Sequence, residues 1–308
     1  MSISLNGNRK KILILGLMIS SAVGGCRFYF QRNTHAFTAL KVSGSLQNGK
    51  NLAQNICAGC HYDESTKKYT GIALGDLPRI GGKLYSANLT HSSTHGIIDQ
   101  YSDAELMYLL KTGIARNGKF MPYMMRPTMA DADMNDLILY FRSNDAPLTP
   151  GDVTAGRTKI NFFGKIGMRS ASKPSPYIKN IARPDQRDQV DYGYYLSSVI
   201  GCYHCHSKKI SGINSLEPEK SKGYMMGGMK GKDFNGKHTR AANLTPDKET
   251  GIGNFTASDF RKAVREGIAP DGEKISTAMP RFTNLTNKQA DALFAYLSKL
   301  PPVRHAVQ

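Results

Sequence analysis

Two short motifs constrain this chain more than anything else in it: Cys57-Ala58-Gly59-Cys60-His61 and Cys202-Tyr203-His204-Cys205-His206. Two cysteines three positions apart share one helical turn, and a histidine follows the second directly. That spacing suits covalent attachment of a haem. Each thiol can form a thioether with one vinyl group, and the histidine then lies under the ring with an imidazole nitrogen on iron. A C-x-x-C alone also reads as a zinc site or a thioredoxin-type redox pair. The redox pair requires a βαβ setting, whereas the flanks here have helical periodicity. Two copies in matching surroundings point to two covalently bound c-type haems.

Each motif belongs to a longer repeat. Asn88-Leu89-Thr90 precedes Gly96-Ile97, and Asn243-Leu244-Thr245 precedes Gly251-Ile252. Lys111-Thr112-Gly113-Ile114 is echoed by Arg265-Glu266-Gly267-Ile268. Apolar residues at helical spacing predict a closing helix over residues 131–143 and another over 287–300, the second capped by Thr286. Helices are also expected over 49–56 and 190–200, leading into the motifs. Gly49 paired with Tyr140, and Gly193 with Tyr296, would let the first and last helices of each repeat cross closely. Residues 147–183, rich in Pro, Gly, Ser and basic residues, read as a linker crossing the surface of both repeats.

A haem iron held by one histidine needs a sixth ligand for electron transfer, and methionine thioether is a common choice. In the second repeat the candidate is Met279, within Ala278-Met279-Pro280. The first repeat offers Phe120-Met121-Pro122-Tyr123-Met124-Met125. Spacing from flanking repeat residues favours Met124, while Met121 has the Met-Pro dipeptide. Met225, Met226 and Met229 read as packing residues near the second haem.

At this point the chain resembles class I cytochromes c with two haems. The second repeat is especially similar to the cytochrome c subunits of bacterial membrane-bound alcohol and gluconate dehydrogenases. The matching residues are Cys202 to His206, Gly227-Gly228, Asn243-Leu244-Thr245-Pro246-Asp247, Thr250-Gly251-Ile252-Gly253, Asp259-Phe260 and Ala278-Met279-Pro280. The resemblance implies a mainly α fold of two tandem domains, residues 44–146 and 184–304, each with helices and long loops around a covalent haem. It also implies a proline carbonyl that accepts a hydrogen bond from the ligand histidine, a part open to Pro78 for His61. Those subunits typically carry three haems, where this chain has motifs for two.

The N-terminal 30 residues read as a signal peptide, a lipoprotein signal or a membrane anchor. Arg9, Lys10 and Lys11 precede the apolar run ILILGLMISSAV at 12–23, short for a membrane span and suitable for a signal core. Cys26 follows in Val23-Gly24-Gly25-Cys26, which resembles a lipoprotein processing box. The expected location is the periplasmic side of the cytoplasmic membrane, held by this segment or by lipid on Cys26.

Net charge is +17. Residues 44–150 balance, so the excess lies in the N-terminal segment and in residues 151–308. Lys208, Lys209, Lys220, Lys222, Lys230, Lys232, Lys237 and Arg240 crowd the region after the second motif, which suits an acidic redox partner or an anionic surface. Export argues against nucleic acid. The expected function is electron transfer between a dehydrogenase or other donor and an oxidase or cytochrome acceptor. The alternative is a di-haem oxidoreductase of the peroxidase or thiosulfate dehydrogenase type.

Overall fold

The computed structural model describes residues 44–76, 82–162, 164, 172–233 and 236–307. The N-terminal segment, Cys26 and Pro78 lie outside the described residues. Helices dominate, as expected. Among the described residues no helix is long and apolar enough to cross a membrane.

The first half opens with α1 (Leu46–Leu52), capped by the Ser45 hydroxyl, which accepts from the Asn48 amide. A π-helical turn (Ala53–Cys57) and α2 (Ala58–His61) carry the chain through the first motif. Then come α3 (Asp103–Thr112) and α4 (Asp131–Phe141). The second half repeats this plan with α5 (Gln189–Ile200), α6 (Cys202–His206), α7 (Ala257–Glu266) and α8 (Asn287–Leu297). Reciprocal capping boxes start α3 (Ser102, Glu105), α7 (Thr256, Asp259) and α8 (Thr286, Gln289). Each satisfies orphan amide donors at a helix start. Left-handed glycines, Gly113 and Gly267, end α3 and α7, a conformation that costs glycine no Cβ clash.

In each half the first helix crosses the last: α1 packs on α4, and α5 on α8. Both crossings need glycine. A Cβ at Gly49 would lie 1.9 Å from the Asp136 carbonyl oxygen and 3.0 Å from Tyr140 Cβ. A Cβ at Gly193 would lie 1.9 Å from the Ala292 carbonyl oxygen and 2.7 Å from Tyr296 Cβ. The pairing read from the sequence is what the structure shows.

Small strands trim the periphery. β1 (Ala73–Asp76), β2 (Gly82–Tyr85) and β3 (Lys159–Ile160) form an antiparallel sheet, and β4 (Lys230–Lys232) pairs with β5 (His238–Arg240). β3 belongs to the segment expected to cross both halves. Its described anchors lie on the first half. The Gly151 and Val153 carbonyls accept from Asn88, the Ser175 amide donates to the Thr112 carbonyl, and the Ile178 carbonyl accepts from Lys111. Lys111 is fully buried and ion-paired with Asp131. Farther on, Arg183 spans Asp133 and Asp136 at 2.5 and 2.8 Å. Both carboxylates are buried, so they need a cation within reach.

One continuous apolar core joins the halves, from Leu52 and Met134 to Tyr195 and Leu297. Polar contacts fasten the seam. The Tyr195 hydroxyl donates to Asp133 and accepts from the Ala130 amide. Asn51 Nδ2 donates to the Asn284 carbonyl, and Gln289 Nε2 to Asn51 Oδ1, at 2.7 and 2.8 Å.

Candidate functional site

The two histidines are held by the same device. His61 and His206 are 7% and 8% exposed. His61 Nδ1–H donates to the Ala87 carbonyl at 2.9 Å, and His206 Nδ1–H to the Ala242 carbonyl at 2.8 Å. A carbonyl only accepts, so the proton sits on Nδ1 and Nε2 carries the free lone pair. That fixes tautomer and ring orientation, as ligand histidines require. The described partner of His61 is the Ala87 carbonyl, and Pro78, to which the resemblance left that part open, lies outside the described residues.

Ala87 and Ala242 each stand directly before the repeated Asn-Leu-Thr. In both copies the asparagine carbonyl oxygen takes the amide and hydroxyl of the threonine two residues on. Its Nδ2 reaches the segment that follows the half's last helix. Asn88 donates to the Gly151 and Val153 carbonyls, and Asn243 to the Val303 carbonyl at 2.7 Å. The asparagine therefore pins the loop that presents the carbonyl to the histidine. The repeat was visible in the sequence, but its task was not, because the atom that meets the ring is main chain.

Burial pushes the thiols of Cys57 and Cys202 up, each to about 12, with the Arg126 guanidinium opposing this at Cys57. A thiolate is disfavoured there, whereas a thioether carries no charge to desolvate. Among the described residues no three His, Cys, Asp or Glu side chains converge into a cluster that would hold a bare metal ion. Neutral sulfurs and one free imidazole nitrogen per motif fit a covalently attached porphyrin that brings its own four nitrogens to iron.

The methionine loops begin in one register. The Met121 amide donates to the Gly113 carbonyl, and the Ile275 amide to the Gly267 carbonyl. Four residues on, the Met125 and Met279 amides make equivalent turns, to the Pro122 and Ser276 carbonyls. The second loop then runs two residues longer before closing on the preceding helix, through Phe282 to Val264, where the first closes through Arg126 to Leu110. Counting from upstream aligns Met279 with Met125, and counting back from α4 and α8 aligns it with Tyr123. Met124 falls between. Met125 is buried, Met124 and Met279 are half-buried, and Met121 is 43% exposed. Met279 packs on the core. Met225, at left-handed φ of 57°, is fully buried in the same core.

The two motifs meet near these loops. A Cβ at Gly59 would touch Pro280 Cβ at 3.7 Å. Arg126 donates to the Tyr123 and Met125 carbonyls. Its positive charge acts on both motifs: it opposes burial at Cys57 and adds to burial at His204, whose pKa is lowered to about 4.

With this geometry in view, residues 46–145 match the family model of cytochrome c. Residues 46–145 are a cytochrome c domain. A cytochrome c domain binds a c-type haem covalently. Three curated relatives extend the likeness. The fructose dehydrogenase cytochrome subunit of Gluconobacter japonicus is 32% identical over 157 residues, covering 50% of this chain and 29% of that protein. The gluconate 2-dehydrogenase cytochrome c subunit of Pantoea cypripedii is 34% identical over 120 residues, 38% of this chain and 24% of that protein. The cytochrome c subunit of the quinone alcohol dehydrogenase of Gluconobacter oxydans is 45% identical over 58 residues, 18% of this chain and 12% of that protein. The matches thus span less than a third of each of these relatives. All three are named as cytochrome subunits of dehydrogenases, and none as a peroxidase.

Proposed function

We propose that this chain is a di-haem cytochrome c that passes electrons from a dehydrogenase to an oxidase or cytochrome acceptor. Bound haem would supply reversible one-electron oxidation and reduction of its iron. Cys57 and Cys60 would hold one haem by thioethers, with His61 Nε2 as a ligand. Cys202, Cys205 and His206 would hold the other. Met279 would be the opposite ligand in the second half. In the first half that part would fall to Met124 by sequence spacing, with Met121 of the Met-Pro dipeptide as the alternative. The chain's own work is to fix the histidine tautomers through Ala87 and Ala242 and to keep the sulfurs in apolar surroundings.

One observation carries this reading. The carbonyl-held histidine, and the asparagine clamp behind it, occur in both halves with distances that differ by 0.1 Å. A second motif without haem would have no use for that repetition. The dehydrogenase donor is inferred from the relatives' names. The proposed location is the periplasmic face of the cytoplasmic membrane, with the N-terminal segment or lipid on Cys26 as the tether. Intact mass tests the proposal: the mature protein should exceed its polypeptide by two haem groups that acid-acetone does not extract. A single haem increment would limit the chain to one redox centre.

A further inference from the structure

A basic concavity lies behind the loop that holds His206. Its volume is about 520 Å³. Gly228 forms part of its lining, and the adjoining main chain leads straight to the histidine. The Gly227 amide donates to the His206 carbonyl, the Gly228 amide to the Ala241 carbonyl, and the next carbonyl, Ala242, accepts from the imidazole. Lys208 and Lys209 line it from the motif side, and Lys230 and Arg240 from the β4–β5 hairpin. The C-terminal segment contributes His305, fixed through its amide to Thr250 Oγ1 and through Nδ1 to the Met226 carbonyl. Glycine at 228 permits this closure, since a Cβ there would lie 2.8 Å from His305 Cε1.

Among the described residues no acidic side chain lines this groove. Among the described residues none of Lys208, Lys209, Lys230 and Arg240 forms an ion pair, although Lys220 nearby pairs with Glu217, and Arg304 with Glu249. The hairpin register sets Lys230 directly opposite Arg240, and like charges opposed across strands cost stability. An anion between them would reverse that cost. Ile210 stands among these cations, 53% exposed. An apolar anchor within a charged rim is the make-up of a protein interface.

We propose that this groove docks an acidic segment of the redox partner, with carboxylates against Lys208, Lys209, Lys230 and Arg240 and an apolar side chain on Ile210. The proposal rests on the electron-transfer reading for its partner, but its test does not depend on electron transfer. The complementarity is local. Lys220 and Lys222 belong to the same basic stretch of sequence and do not line the groove.

The test measures fluorescence anisotropy of a labelled peptide of alternating Glu and Leu, titrated with the haem-loaded protein at low salt. Lys209→Glu with Lys230→Glu should weaken binding about tenfold or more, and Lys220→Glu with Lys222→Glu, an equal change in net charge, less than about twofold. Ile210→Ser should weaken it about threefold without altering the salt dependence, because it removes apolar contact and no charge. Equal losses in the two charge variants, or no loss on Ile210→Ser, would overturn the groove in favour of diffuse attraction. Displacement of the peptide by inorganic phosphate at equal concentration would overturn it in favour of a small-anion site. Haem content of each preparation, read by absorbance, reports separately on the electron-transfer reading.

Discussion

The two halves hold their histidines alike and build their methionine loops differently. Behind each histidine stand an alanine carbonyl, an asparagine clamp and a glycine-mediated crossing of first and last helices. On the other side, the second loop is two residues longer between matching hydrogen bonds and presents one methionine, where the first presents three. Upstream of the motifs the halves also diverge. The first passes through a π-helical turn, while the second breaks at Gly201, with φ of 89°. What fixes the ligand atom is repeated, and what sets its surroundings varies. If both halves hold haem, as proposed above, two centres built this way would share ligand chemistry and still differ in potential, because potential answers to the sixth ligand and burial.

The largest effect should follow removal of one pair of sulfurs. Cys202→Ala with Cys205→Ala should halve the haem absorbance, and Cys57→Ala with Cys60→Ala should do the same. If either pair abolishes both haems, the halves do not load independently. Next comes the shared crossing. Gly49→Ala and Gly193→Ala should each cost about 1–3 kcal/mol or more in urea unfolding, since a methyl group cannot enter either contact without backbone movement. A tolerant Gly193→Ala would break the equivalence of the two crossings.

The methionines sharpen the difference. Met279→Leu should remove one thioether-to-iron absorption band and lower one haem's potential. In the first half Met124→Leu and Met125→Leu should split, with only the ligand's loss removing the other band. An effect of Met121→Leu alone would show that the exposed Met-Pro pair turns inward when haem is present. Asn88→Ala and Asn243→Ala should each cost about 1–3 kcal/mol by leaving buried partners unpaired. Acid should have the smallest effect. The Asp152 carboxyl is held below the ordinary aspartate range by the Ser92 and Thr94 hydroxyls, and Asp247 by the Thr250 hydroxyl and amide. A depressed folded pKa gives stability that is present above the unfolded value, about 3.9, and lost as pH falls through the folded one. Amide exchange at Thr250 and His95 should therefore quicken together below about pH 4.

Much of this was legible because it depends on side-chain identity at fixed spacing. The two C-x-x-C-H motifs, the Thr286 cap, the closing helices and the Gly49 and Gly193 crossings all carry such signals. The closing helices end at Phe141 and Leu297, two or three residues before the expected bounds, where fraying ends are commonly misjudged. Contacts made by main chain were not legible. Any residue can supply the Ala87 and Ala242 carbonyls, so no letter marks them. Residues 147–183 read as a linker crossing the surface of both halves. Their described part is fastened to the first half by carbonyls, by Asp152 on the Ser92 and Thr94 hydroxyls, by Tyr177 stacked on Tyr108 and by Arg183, contacts that composition alone does not mark. The loop-length difference makes counting from upstream point to Met125 and counting from downstream to Tyr123, with Met124, the residue sequence spacing favours, between them.

The fastening of Arg183 onto Asp133 and Asp136 has a temporal side. A chain made or threaded N-terminus first exposes α4 well before residue 183 emerges. Until then two carboxylates destined for burial lack their guanidinium, and closing the first half over them would be costly. Once Arg183 arrives both carboxylates have their cation, while Cys202 has not yet appeared. Arg183 is therefore in place before Tyr195 of α5 closes on Asp133 and completes the core that the two halves share.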